Sequence, residues 1–206
     1  MDQTSPAAAA HPDENQHLAL GRRLRALRQA REMTLADLAE RSNLAISTLS
    51  RAERGQLALT YDKLMKVAEG LGVDLGALFQ TSGSVLSPSS LNVARIGDVR
   101  IQETETYRYE ILFADVLGRG MTTMTGTVKA HSPSEFTGMI RHPGEEFVFV
   151  LSGVLTVYSE FGPPVTLQPG ESLYFDSRMG HIYTAGTDED CRILVVCLPR
   201  NDAAGR

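Results

Sequence analysis

The sequence predicts two domains, an all-α bundle of five short helices followed by an all-β domain. Up to about residue 80 the apolar residues recur every three or four positions, whereas beyond residue 90 they alternate with polar residues in short runs. A segment rich in Ser, Gly and Pro, TSGSVLSPSS (81–90), separates the two patterns. A chain of 206 residues is long enough for two hydrophobic cores.

The charge of the chain is divided unevenly between the two parts. Residues 18–80 hold ten Arg and Lys against seven Asp and Glu, a balance of +3, whereas residues 81–206 hold ten against fifteen, a balance of −5. The first seventeen residues add −3. A basic first domain suits a polyanionic partner such as nucleic acid.

Composition and cysteine use predict a cytoplasmic protein without membrane association. The N-terminus lacks the basic start and apolar run of a secretory signal, and no apolar stretch approaches membrane-spanning length. Cys191 and Cys197 lie six positions apart in one predicted strand, about 20 Å at the rise of an extended chain. This distance excludes a disulfide between them, so we expect two buried free thiols.

Residues 1–16 show no periodic pattern of apolar residues, and we expect them to form a disordered tail. Helical spacing begins after this tail. The helical domain is predicted over residues 17–80. Thr34, with Asp37 three positions later, has the spacing of a capping box and starts the second helix. Gly55 stops the third helix, Thr60 caps the fourth, the glycines of EGLG end it, and VDLGALF forms the fifth.

The stretch TLADLAERSNLAISTLSRAERG resembles the helix-turn-helix of the phage-repressor-like (Xre/Cro) DNA-binding family, and the likeness extends over about residues 18–80. It implies a first helix over 34–41, a turn over 42–44 and a recognition helix over 45–54. It also implies an internal ion pair between Arg28 and Glu53, so that Arg28 is not a DNA contact. The apolar seam of the motif is predicted to contain Leu35, Leu38, Ala39, Ile46 and Leu49.

The outward face of the predicted recognition helix carries Ser47, Thr48, Ser50 and Arg51. Short polar side chains near the start of such a helix, with an arginine further along, are suited to reading base edges, and Arg51 is the candidate for a guanine. The alternative is a five-helix module that binds protein instead of DNA. The predicted phosphate contacts are Thr34, Arg54 and Lys63.

The second half of the chain is predicted as a linker, 81–104, followed by a β-domain, 105–200. Many short strands separated by Gly, Pro and Asp indicate a sandwich or barrel. The predicted strands are 93–101, 106–113, 122–128, 146–151, 154–158, 165–167, 172–175, 182–185 and 192–198.

Two stretches of the β-domain, RHPGEEFVFVLSG and PGESLYFDSRMGH, resemble the two signature motifs of the cupin family, over about residues 105–198. The resemblance implies a double-stranded β-helix, a jelly-roll barrel. In metal-binding cupins the motifs supply three His and one Glu. Here His142, Glu146 and His181 match, whereas Ile140 stands in place of the first His.

The remaining set of two His and one Glu leaves two possibilities open for the barrel. Two imidazoles and a carboxylate suit one divalent metal, with Zn, Fe, Ni and Mn as candidates. Alternatively, His142 and His181 line a metal-free pocket and hydrogen-bond an organic effector. Ile140 and Tyr183 share the faces of these histidines and belong to the predicted pocket. Other polar candidates for the lining are Tyr107, Tyr109, Arg119, His131, Arg141, Tyr158 and Tyr174.

The order of the two modules resembles that of bacterial Xre–cupin transcription regulators. This resemblance implies a non-enzymatic homodimer, paired through the cupin domain, that binds double-stranded DNA and responds to a small-molecule effector. The segment 81–104 is the expected coupling element. Two alternatives stay open: a non-haem iron oxygenase resembling the epoxidases of hydroxyalkyl phosphonates, which share the layout, and a non-enzymatic metal sensor.

Overall fold

The computed structural model describes residues 12–73, 75–79 and 84–198. Within these ranges, five α-helices precede eleven β-strands, and the change occurs where the apolar period changes from 3.6 to two. The helices are α1 (Pro12–Gln29), α2 (Leu35–Ser42), α3 (Ile46–Glu53), α4 (Tyr61–Leu71) and α5 (Leu75–Phe79).

The helix boundaries follow from local capping. The Thr34 hydroxyl accepts a hydrogen bond from the backbone N–H of Asp37 (3.1 Å), and the Asp37 carboxylate accepts one from the Thr34 N–H (2.7 Å), which confirms the capping box. Asn43 ends α2 in the left-handed region at φ 52°, and this turns the chain sharply into α3. Gly72 ends α4 with the same conformation, at φ 65°.

Two expectations for the helical domain need correction. Helix α1 begins at Pro12, inside the segment 1–16 that was expected to be disordered; residues 1–11 lie outside the described residues. Ile46 does not belong to the apolar seam, because it is 50% exposed at the first turn of α3. Leu38 and Leu49 are buried as expected, and Leu35 and Ala39 pack against the same core.

The strands form two antiparallel sheets and one short parallel pair, and the two sheets make up the barrel. One sheet has the order β2-β3-β5-β11-β6-β9, the other the order β10-β7-β8, and β1 pairs with β4. The strands are β1 (Ser84–Val85), β2 (Val99–Glu103), β3 (Tyr107–Leu112), β4 (Val116–Leu117), β5 (Thr122–Val128), β6 (Glu145–Ser152), β7 (Leu155–Ser159), β8 (Val165–Leu167), β9 (Ser172–Asp176), β10 (His181–Ala185) and β11 (Cys191–Leu198).

The barrel begins earlier than predicted. Strand β2 lies inside the expected linker 81–104, yet it pairs with β3 from Val99 to Glu103 and forms the edge of the six-stranded sheet. The predicted strand 93–101 is therefore shifted toward the C-terminus. Residues 81–83 and 199–206 lie outside the described residues. Cys191 and Cys197 are buried free thiols on β11, as predicted.

The helical domain and the barrel share one connected hydrophobic core. The Gln102 side chain of β2, only 2% exposed, donates a hydrogen bond to the backbone carbonyl of Leu59, just before α4. The next contact is aromatic, since the rings of Tyr61 and Tyr109 lie 6.2 Å apart. In the described ranges, no helix has the length and hydrophobicity that a membrane crossing requires.

Candidate DNA-binding face and barrel site

The recognition helix α3 presents a polar face to solvent. Ser47 and Arg51 are exposed, and Thr48 and Ser50 are half-buried beside them, whereas Leu49 is buried on the opposite side. No acidic residue lies in the first turn of α3. The face therefore offers hydroxyl groups and one guanidinium for contact with bases, without a carboxylate that would repel DNA.

The predicted phosphate contacts lie in different settings. Arg54, at the end of α3, is exposed. The hydroxyl of Thr34 is exposed but already donates to Asp37 (2.7 Å) within the cap. Lys63 is half-buried on α4 and lines a cleft between the two domains.

Arg28 and Glu53 form the internal ion pair that the family resemblance implies. The guanidinium donates to both carboxylate oxygens, from Nε at 2.6 Å and from Nη2 at 2.8 Å. Nη1 donates to the carbonyl oxygen of Met33 at 2.8 Å. The hydrogen bond to Glu53 raises the pKa of Arg28 above its ordinary value, against the effect of burial. Arg28 is thus used inside the domain and is not available to DNA.

His142, Glu146 and His181 meet inside the barrel, each 3% exposed. One potential ligand atom from each lies within 4.8 Å of the others. The convergence has a local cause: Ile140 and His181 exchange backbone hydrogen bonds of 3.0 Å, which brings the segment before β6 against the start of β10. Alternation along β6 then turns Glu146 inward and leaves Glu145 half-buried on the outer face.

The Glu146 carboxylate is surrounded by donors. His142 Nε2 lies 2.9 Å from Oε2, and the Tyr183 hydroxyl donates to Oε1 at 2.6 Å. Burial by itself would raise the pKa of Glu146, but these hydrogen bonds and the two imidazoles lower it overall. Burial is also the main reason that the pKa of His181 falls below its ordinary value, against the opposing attraction of Glu146. The site therefore favours an ionised carboxylate beside a neutral His181.

The ring nitrogens are placed in a way that fits a metal ion. His181 Nδ1 lies 2.8 Å from the carbonyl of Met179, which assigns the proton to Nδ1 and leaves the lone pair of Nε2 facing Glu146 at 3.8 Å. His142 Nδ1 is buried and has no hydrogen-bond partner in the described part of the chain. The donor set of two imidazoles and one carboxylate suits Zn²⁺ or Fe²⁺.

The cavity around these residues is small and is closed by the helical domain. Its volume is about 20 Å³, close to the minimum for a single water molecule. Ile140 and Tyr183 line it, together with Tyr107 and Tyr109. Of the other polar candidates, His131, Arg141 and Tyr174 are exposed, and Arg119 bonds the carbonyls of Leu112 and Phe113.

Several lining residues were not expected from the sequence, among them Thr60, Tyr61 and Gln102. Tyr61 has the spacing of an ordinary core residue of α4, and Gln102 lies in the segment interpreted as a linker. No periodicity reveals that one domain supplies the wall of a pocket in the other. The two tyrosines of YRY, in contrast, have the alternation that points both inward.

Comparison with known proteins identifies both domains. A helix-turn-helix family model matches residues 24–78, and a cupin domain model matches residues 130–197. The HTH-type transcriptional regulator SutR of Escherichia coli K12 is 28% identical over 176 residues, which are 85% of this chain and 92% of SutR. The chain therefore combines a helix-turn-helix domain with a C-terminal cupin domain, the layout of a DNA-binding regulator.

A solved structure shares the fold of both domains. An HTH_3 family transcriptional regulator from Vibrio cholerae is 23% identical, with a TM-score of 0.63, and the match covers 91% of this chain and 99% of that one. A hydroxypropylphosphonic acid epoxidase from S. wedmorenis is also 23% identical, covering 88% and 98%. Its TM-score of 0.45 is too low to bear on the chemistry of this regulator.

Proposed function

We propose that this regulator binds a specific duplex DNA site through α3 and that a small molecule in its barrel modulates this binding. The observation that carries the proposal is the polar face of α3, which follows a capped α2 and a left-handed turn at Asn43. Ser47 and Arg51 are exposed there, and their side chains form no hydrogen bond or ion pair within the described part of the chain. An enzyme with an unused helical domain would not require such a face.

Replacing Arg51 by Ala is expected to cost about 1–3 kcal/mol of binding free energy at the cognate site, because a bidentate contact to guanine would be lost. The site is first selected from a random DNA pool with the full chain, and affinities are then measured at fixed salt. On unrelated DNA the same variant should bind nearly as well as the parent.

Arg54→Ala is the matched control, because Arg54 is exposed at the end of the same helix and is assigned to phosphate. It should weaken binding to both kinds of DNA by a similar factor and reduce the salt dependence. Equal losses for Arg51→Ala on both DNAs would reassign Arg51 to the phosphate backbone. Failure to select any site would oppose the DNA-binding function itself.

The barrel site is proposed to hold an effector, with one divalent metal at His142, Glu146 and His181. The metal would supply a Lewis-acidic centre with open coordination positions, since the protein provides three ligands. Binding without turnover is the proposal, because the regulatory layout already accounts for both domains. Among enzymatic functions, a non-haem iron oxygenase is the second candidate, and the two-His, one-carboxylate set favours it.

A homodimer is proposed through the outer face of the six-stranded sheet. Cross-strand pairing places Phe149 beside Leu194, and it places Phe147 between Val196 and Tyr174. Tyr174 is 65% exposed. An apolar stripe on an outer sheet face is typical of an interface. A two-fold dimer would present two recognition helices to half-sites about 34 Å apart on DNA.

Replacing Leu194 by Arg is expected to weaken this dimer by at least about 2 kcal/mol, because a charge would be buried in the apolar stripe. Sedimentation velocity on the full chain measures the change. Thr127→Arg is the control: Thr127 lies on the same face, two strands from Phe149, beside Arg192. A dimer that survives both changes would place the interface elsewhere, for instance on the helical domain.

A further inference from the structure

We infer that Tyr61, the first residue of α4, is the gate of the barrel site and couples its occupancy to the DNA-binding domain. This inference rests on the proposed function, since it names the residue that connects the two sites. The segment 81–104 is one covalent connection between the domains, but Tyr61 provides a direct contact between the DNA-binding domain and a proposed ligand.

Tyr61 belongs to the helical domain but lies in the wall of the barrel cavity. Its side chain is 7% exposed. Its ring meets the imidazole of His142 edge-on, with centroids 5.1 Å apart and an interplanar angle of 79°. On another side it packs against Tyr109 at 6.2 Å. A change in the position of the His142 ring therefore acts directly on a residue of the DNA-binding domain.

The Tyr61 hydroxyl is buried without a hydrogen-bond partner among the described residues. The Cys197 thiol and the Thr122 hydroxyl are its polar neighbours. A buried hydroxyl that lacks a partner opposes insertion of the side chain. Packing of the ring against His142 and Tyr109 holds Tyr61 in place, so withdrawal of the side chain separates aromatic contacts.

The size of the cavity makes this withdrawal necessary for an organic ligand. Small-molecule sites measure about 300–1,000 Å³, whereas the closed cavity measures about 20 Å³. Its other walls are chiefly strand residues held by the ladders of both sheets. Thr60 and Tyr61, in contrast, come from the other domain and are the walls that can move away together.

A larger space lies directly behind this wall. The cleft between the domains has a volume of about 430 Å³ and contains Lys63, Phe136 and Met139. It shares Thr60 and Tyr107 with the closed cavity. Withdrawal of Tyr61 would join the two spaces into one site of the size that a small organic molecule needs, with the triad at its inner end.

Movement of Tyr61 would reach the recognition helix through the rigid helical domain. Helix α4 packs closely on α2: a Cβ at Gly70 would lie 3.1 Å from the backbone nitrogen of Ser42. Helix α3 ends at Glu53, eight residues before Tyr61, and Glu53 is tied to Arg28 of α1. The helices therefore move as a unit, and displacement of α4 reorients α3 relative to the barrel.

Cys197 provides a probe of the gate that needs neither a metal nor DNA. It is 3% exposed and lines the same cavity as Tyr61. The second cysteine, Cys191, is removed as Cys191→Ala in every protein used. Methyl methanethiosulfonate then attaches a methylthio group to the Cys197 thiol and releases methanesulfinate, and the rate is followed by mass spectrometry on the full chain.

The Tyr61→Ala protein is expected to react with the reagent at least about fivefold faster than the parent, because truncation of the side chain opens a path to Cys197. Tyr61→Phe, which keeps the ring and removes only the unpaired hydroxyl, should label at the parent rate. Thermal unfolding of each protein shows whether it is folded, and Tyr61→Leu serves as a second truncation if Tyr61→Ala is not. Equal rates in all folded variants would overturn the gate.

The labelled proteins then test the coupling. In the parent, the methylthio group occupies the small cavity and displaces Tyr61, so affinity for the selected DNA site should change about 5–150-fold. In Tyr61→Ala the group is accommodated, and labelling should leave the affinity unchanged. A parent whose affinity does not respond would overturn the coupling, and the labelling rates would still decide the gate if no DNA site were found.

Discussion

Replacing Glu53 by Ala is expected to lower the free energy of unfolding of the helical domain by about 3–5 kcal/mol. The Arg28 side chain is only 11% exposed, and that of Glu53 8%, so both charges are largely removed from water. Without the carboxylate, the guanidinium keeps one bond to Met33 and loses both bonds to Glu53. An uncompensated charge in this position costs far more than the net value of the pair.

The measurement is urea unfolding of the full chain, followed by the circular dichroism of the helices. Lys66→Ala is the matched control, because Lys66 pairs with Asp62 at 3.9 Å and its side chain is 36% exposed. That change should cost less than about 0.5 kcal/mol. If Glu53→Ala were no more destabilising than Lys66→Ala, the ion pair would contribute little to the free energy of unfolding. The stability of the helical domain would then come from the packing of its apolar residues.

The elements of both domains could be predicted because their cores are built from regular repeats of apolar residues. Strands β5 and β8 match the predicted ranges. Strand β5 alternates between buried and outward positions, and β8 is followed by a turn at residues 169–170. The family motifs located the triad, and the fold brings its three side chains together. In these parts of the chain, the residues that the apolar pattern predicts to be buried are the ones that form the core.

The contact between the domains could not be predicted from pattern, because it depends on polar and aromatic residues in unusual positions. Gln102 is the one fully buried residue of β2, and its amide donates to the Leu59 carbonyl, 43 positions earlier. A strand that turns a glutamine inward resembles a polar linker in sequence. Tyr61 likewise resembles a core residue of α4, whereas its ring is buried against the other domain.

Replacing both His142 and His181 by Ala is expected to abolish metal binding, because a single carboxylate does not hold a transition metal against the buffer. The parent chain, purified without chelator, should carry about one divalent ion per chain, as three preformed ligands would provide. Elemental analysis of both proteins measures the difference. His131→Ala is the control, because His131 is exposed and its Nδ1 contacts the carbonyl of Thr187, away from the barrel cavity.

Tyr183→Phe refines the same test, since the Tyr183 hydroxyl donates to Glu146 Oε1, whereas His142 Nε2 lies against Oε2. Loss of such a supporting hydrogen bond typically weakens metal affinity about 10–100-fold, so this variant should fall between the parent and the double variant. The His131→Ala protein should keep the full metal content. Equal metal in the parent and the double variant would dismiss the metal site. The buried nitrogen His142 Nδ1, which has no partner in the described residues, would then be a hydrogen-bonding position for an organic ligand.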